Sequence, residues 1–129
     1  MAETANPFAG EGPEAQFRKG LAAGEFNVQQ CTACKKHVFY PRALCTHCGS
    51  PNLTWKKASG DGTVYSTSTE RYRPEAGGDK NIAVVELAEG PRLLSRVTDV
   101  APVHVKIGMK VKAHIGEADG IKMILFRKA

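Results

Sequence analysis

The sequence predicts a mainly β protein: a short N-terminal helix, a four-cysteine metal ribbon, and then a five-stranded barrel. Three observations predict it. All four cysteines fall in two C-x-x-C pairs, Cys31/Cys34 and Cys45/Cys48, with ten residues between the pairs. After Ser59-Gly60-Asp61-Gly62, a turn signal, the apolar residues alternate with period two. With 129 residues there is material for one modest core but not for two large ones. The expected divisions are a flexible tail over 1–12, a helix over 13–25, the ribbon over 26–57 and the barrel over 58–129.

Residues 1 to 12 carry Pro, Gly and Glu with little to bury, as a mobile tail does. Pro13 and Glu14 suit the first turn of a helix that runs to about Ala23 and stops at Gly24. Phe17 and Leu21, four residues apart, give it one narrow apolar stripe. Gly20 weakens the helix by about 1 kcal/mol relative to Ala. A helix this short must dock, either on its own domain or on a partner.

Each C-x-x-C unit can form a knuckle that presents two thiolates, and two facing knuckles complete the tetrahedral shell that Zn²⁺ prefers. Lys35 and Lys36 can offset the excess negative charge, and Gly49 suits a turn that needs positive φ. A shell of four cysteines leaves no open position for water or substrate, so the zinc is expected to be structural. His37 and His47 are expected to face solvent. A rubredoxin-like iron site uses the same shell; the short separation of the knuckles and the few nearby aromatics favour zinc. Val38, Phe39 and Tyr40 read as a short strand ended by Pro41, and Trp55 as packing on the ribbon or its junction. With so little apolar area here, metal is expected to supply most of the folding energy, on the order of 10 kcal/mol or more in comparable peptides.

The barrel strands are expected at Val64 to Thr69, Ile82 to Leu87, Arg92 to Val97, Lys110 to Ile115 and Ile121 to Phe126. Glu89-Gly90-Pro91 and Glu117 to Gly120 are the turns, and Arg73 to Lys80 and Asp99 to Gly108 the connections. Ala83, Val85 and Leu87 should face the core, with Ile82, Val84 and Glu86 outside. The commonest five-stranded solution is the OB-fold.

The formal net charge is +5, and four thiolates with one Zn²⁺ lower it to +3. The basic residues are scattered, which fits an anionic partner such as RNA or coenzyme A and selects neither. No apolar run approaches twenty residues, so no membrane helix is expected. The first residues, Met1-Ala-Glu-Thr-Ala-Asn-Pro7, lack a basic and an apolar leader region, and a reducing cytoplasm is expected.

Cys31-x-x-Cys34, Tyr40-Pro41-Arg42, Cys45-x-x-Cys48-Gly49-Ser50, Trp55, Gly60-x-Gly62-x-Val64-Tyr65-Ser66, Val85-Glu86-Leu87-x-Glu89-Gly90 and Ile107-Gly108-Met109-x-Val111 occur here in one order. In this the chain resembles a family of OB-fold and rubredoxin-like zinc-ribbon proteins, formerly a domain of unknown function, that accompany thiolases and other acyl-CoA enzymes. The family's usual Phe-x-Pro ending is replaced by Leu125-Phe126-Arg127-Lys128-Ala129. The resemblance implies a non-catalytic accessory subunit that hetero-oligomerises with a thiolase-like catalytic subunit, supports complex assembly and contributes to the coenzyme A channel. A coenzyme A thioester would then lie at a shared site, with Arg71, Arg73, Arg92 and Arg96 as candidates for its phosphates.

The residues themselves agree on the negative point. All four thiols are committed to metal, and no Ser–His–Asp grouping is suggested for His37, His47, His104 or His114, so no catalytic activity is expected of the chain alone. The alternative is a single-stranded nucleic-acid-binding OB-fold. Such sites stack bases on aromatics, and Ile82–Leu87 and Arg92–Val97 contain none. Nucleic acid is therefore the less favoured partner.

Overall fold

The computed structural model describes residues 11–118 and 120–129, so the first ten residues of the expected tail lie outside them. The chain divides after Ala58 into two compact units.

In the first unit, helix α1 spans Pro13–Ala22, with Pro13 in its first turn and Glu14 where the helix dipole favours a carboxylate. It ends where Ala23 N donates to the carbonyls of Lys19 and Gly20, ahead of Gly24. Three strands follow: β1 (Asn27–Cys31), β2 (His37–Val38) and β3 (Leu53–Lys57), in the antiparallel order β2-β1-β3. The strand expected over Val38, Phe39 and Tyr40 therefore lies one residue earlier and ends at Val38. Its pairing with β1 stops at Gln29↔Val38.

The apolar stripe of α1 turns onto this unit. Leu21 is buried, and the Phe17 ring lies 5.3 Å from Phe39, edge-on, and 6.4 Å from Trp55, stacked. Trp55 Nε1 donates to Gln16 Oε1 at 2.7 Å, so the tryptophan anchors the helix. Gly20 is where the helix comes close: a Cβ there would meet Asn27 Nδ2 at 2.9 Å. Phe26 packs edge-on to Phe39 at 6.4 Å, so the unit holds an aromatic cluster beside its cysteines. Apolar packing here is thus larger than the sequence suggested, and scarcity of aromatics no longer separates zinc from iron.

The second unit is one five-stranded sheet: β4 (Asp61–Glu70), β5 (Lys80–Leu87), β6 (Arg92–Ser95), β7 (Lys110–Ala118) and β8 (Ile121–Lys128), in the order β6-β5-β4-β7-β8. It curls until its edges meet. Beyond β6, Val97 forms a parallel bridge with Phe126; Phe126 N donates to Arg96 O at 2.9 Å and Thr98 N to Phe126 O at 2.8 Å. This is the partly open OB-type barrel. A single 3-10 turn, Pro102–His104, stands in the connection from β6 to β7.

Along β5 the burial alternates as expected, with Ala83, Val85 and Leu87 inside. Val64, Leu93, Val97, Val111 and a fully enclosed Phe126 are buried apolar residues of this unit as well. Two polar residues are buried among them, Asn81 and Ser95; Asn81 Nδ2 donates to Thr67 Oγ1, and its Oδ1 accepts Val97 N–H at 3.0 Å.

Gly62 sits where β4 leaves no room for a side chain against β5. A Cβ there would lie 2.6 Å from Val85 Cγ1 and 3.2 Å from Glu86 O. Gly62→Ala must displace a fully buried valine or the strand itself. The expected loss is about 1–3 kcal/mol, as for other overpacked cores, read as an earlier loss of barrel β signal in a urea titration.

Candidate metal centre

The two knuckles are built alike. Lys35 N donates to Cys31 O (2.8 Å) and Cys31 N to Lys36 O (2.9 Å); fourteen residues on, Gly49 N donates to Cys45 O (2.9 Å) and Cys45 N to Ser50 O (2.8 Å). Both turns close through a left-handed residue, Lys35 at φ 67° and Gly49 at φ 78°. Glycine reaches that region freely, whereas the lysine carries a steric cost. Each knuckle also aims a backbone N–H at a sulfur: Cys34 N at Cys31 Sγ (3.5 Å) and His47 N at Cys45 Sγ (3.3 Å).

The knuckles bring all four Sγ atoms within 4.8 Å of one another. Cys31 and Cys48 are 3.6 Å apart and Cys34 and Cys45 3.7 Å apart, far beyond a disulfide bond. A tetrahedral ion about 2.3 Å from each sulfur would hold the sulfurs about 3.8 Å apart, close to the spacing of these two pairs. Cys31 and Cys45 are buried with Val38, against Cys34 and Leu53, while Cys48 is exposed. His47 is exposed and His37 half-buried, and neither belongs to the cluster.

Electrostatics point the same way. The Cys34 backbone N–H draws the Cys31 thiol down to about 6, against the opposing effect of burial. At Cys45, burial raises the pKa but the N–H groups of His47 and Cys48 outweigh it, and the net direction is down. Cys48 goes the other way, to about 12: the Ser50 N–H favours its thiolate, but the Cys31 sulfur, burial and the other two sulfurs outweigh it. Negative charge is stabilised at some sulfurs and repelled at another, and a central cation resolves that conflict.

Gln29, missed in the sequence, braces the segment between the knuckles. It is buried in β1, accepts Arg42 N–H on Oε1 at 2.6 Å and donates from Nε2 to Arg42 O at 2.8 Å. A glutamine in a short polar run carries no signal of this, because its partner is a backbone thirteen residues away.

Among the described residues, Arg71, Arg73 and Arg92 each have a different carboxylate partner. Arg71 pairs with Asp79 at 2.9 Å, Arg73 with Glu75 at 4.0 Å, and Arg92 with Glu86 at 2.9 Å while lying 3.7 Å over the Tyr65 ring. Arg96 is half-buried. Among the described residues no histidine hydrogen-bonds a carboxylate. His114 Nε2 lies 3.2 Å from Thr98 Oγ1, with its pKa held down first by burial and then by Arg127.

The family model for the ChsH2 rubredoxin-like zinc ribbon domain matches residues 18–54, and that for the ChsH2 C-terminal OB-fold domain matches residues 55–116. A DUF35 domain-containing scaffold protein of Pyrococcus furiosus is 36% identical over 97 residues, covering 70% of this chain and 71% of its own length. The chain belongs to the DUF35/ChsH2 family of zinc-ribbon and OB-fold proteins. A probable enoyl-CoA hydratase alpha subunit of Thermomonospora curvata is 36% identical over 105 residues, 79% of this chain; the chain spans about a third (33%) of that relative's length. Among solved structures, a chain of the Ltp2-ChsH2(DUF35) aldolase superposes with a TM-score of 0.79 and 32% identity, over 93% of this chain and 97% of that one.

Cys45→Ser removes one donor from the buried pair. The expected outcome is loss of tightly held metal, measured by elemental analysis after dialysis. Far-UV circular dichroism should show the ribbon disordered and most of the barrel signal kept.

Proposed function

We propose that this chain is a non-catalytic accessory subunit of an acyl-CoA enzyme, holding one structural zinc on Cys31, Cys34, Cys45 and Cys48 and supporting assembly with a thiolase-like catalytic subunit. The observation that carries the reading is the likeness of both units, in order, to a component of an aldolase complex and to scaffold proteins. The chain's own chemistry supports it. A closed four-sulfur shell has no open coordination position, and no other thiol remains to accept an acyl group.

Contribution to a coenzyme A channel is the finer part of the proposal. Arg71, Arg73 and Arg92 would each have to exchange a carboxylate for a phosphate. Exposed pairs of this kind are worth about 0–1 kcal/mol, so the exchange costs little. Arg92, held flat on Tyr65, is the best preorganised of the three. The same stacking argues against the nucleic-acid reading, because one face of the exposed Tyr65 ring is already covered.

Co-expression with the thiolase-like protein of the same genome, followed by size-exclusion chromatography, tests the proposal. Co-elution in fixed stoichiometry is expected, with acyl-CoA turnover by the complex and none by this chain alone. A strictly monomeric, unaccompanied chain overturns it.

A further inference from the structure

The ribbon is one-signed. Between Glu25 and Asp61 the sequence holds no carboxylate, while Lys35, Lys36, Arg42, Lys56 and Lys57 all lie there and all are exposed. Elsewhere several cations have a carboxylate partner: Arg18 with Glu14, Lys19 with Glu11, Arg71 with Asp79, Arg92 with Glu86, Lys112 with Asp61. Among the described residues none of the five ribbon cations does. Four thiolates around one zinc offset only two of these charges.

In the same unit the segment Tyr40-Pro41-Arg42-Ala43-Leu44 shows two large apolar side chains to solvent, Tyr40 at 46% and Leu44 at 41% exposure. The segment is not slack. Buried Gln29 grips the Arg42 backbone through two hydrogen bonds, and Cys45 fixes its far end in the sulfur cluster. Apolar anchors on a preorganised backbone lose little freedom on binding. Tyrosine and arginine are also the residues most enriched where binding energy concentrates.

We propose that the ribbon segment Tyr40–Leu44 is a docking surface whose occupant is an acidic face of a partner protein, Tyr40 and Leu44 serving as apolar anchors and Arg42 with the unpaired lysines as the steering charge. The partner's chemistry follows from complementarity: carboxylates for a ribbon that carries cations and no carboxylate, and an apolar recess for the two anchors. A nucleic acid fits less well. Leucine is no stacking platform, and the Tyr40 ring is packed against Phe39 at 4.9 Å. The inference rests on the accessory-subunit reading and names where that subunit takes hold.

The test uses the full zinc-loaded chain and the thiolase-like subunit of the same genome, with binding followed by surface plasmon resonance. Leu44→Ala and Tyr40→Ala should each weaken binding about tenfold or more through faster dissociation. Arg42→Glu should slow association several-fold and flatten its dependence on salt. All three variants must keep one zinc per chain and the wild-type circular dichroism; Leu44→Ala and Arg42→Glu alter exposed side chains and guard against misfolding at Tyr40. Wild-type binding with all three variants within twofold of it overturns this surface and leaves the accessory-subunit reading standing. No binding by wild type overturns both. A salt-sensitive gel shift with a single-stranded RNA 20-mer, lost in Arg42→Glu while partner affinity is unchanged, would make the ribbon a polyanion site instead and overturn the protein partner.

Discussion

Four sulfurs gathered within 4.8 Å of one another, with one pair 3.6 Å and another 3.7 Å apart across the two knuckles, are the constraint on which the first unit depends. The protein chain alone does not balance that arrangement. Backbone N–H groups draw Cys31 and Cys45 toward the thiolate, and their proximity drives Cys48 the opposite way. A divalent ion at the centre turns mutual repulsion into shared attraction, and in zinc-dependent folds that binding energy is itself folding energy. The aromatic cluster of Phe17, Phe26, Phe39 and Trp55 adds a second, metal-independent source of cohesion and ties the helix to the ribbon sheet. The helix turns its apolar stripe onto its own unit.

The second unit solves a different problem. A five-stranded sheet must hide its edges, and here the run from β6 to Thr98 meets β8 in a short parallel seam through Phe126. Gly62 lets β4 approach β5 closely, and Asn81 ties β5 to β4 and to the seam at Val97. On its outer surface Arg92 pairs with Glu86 and Lys112 with Asp61. The ribbon keeps its charges unpaired.

Much of this was legible in the sequence because the signals are local. Two C-x-x-C pairs specify a donor set within eighteen residues, and alternation along 82–87 specifies which side of β5 is buried. The helix start was legible from Pro13 and Glu14. Strands β1 and β3 were not, since Asn27-Val-Gln-Gln-Cys buries a glutamine and hides its alternation. The pairing of Arg92 with Glu86 was not legible, because it is set by cross-strand register, Glu86↔Arg92, which no local pattern encodes. The Gln29 brace was invisible for the same reason: a side chain and a distant backbone meet only after folding.

The seam through Phe126 gives the two units unequal timetables. The ribbon is complete within the first 58 residues, and its cysteines are neighbours in sequence, so it can take up metal while later strands are still being made. The barrel cannot close early. Its first four strands leave two open edges until β8, the last of the eight, pairs with β7 on one side and meets Val97 on the other. During synthesis the molecule is therefore a finished metal module trailing an unsealed sheet, and the interval before sealing is when the nascent chain is most exposed to edge-to-edge aggregation.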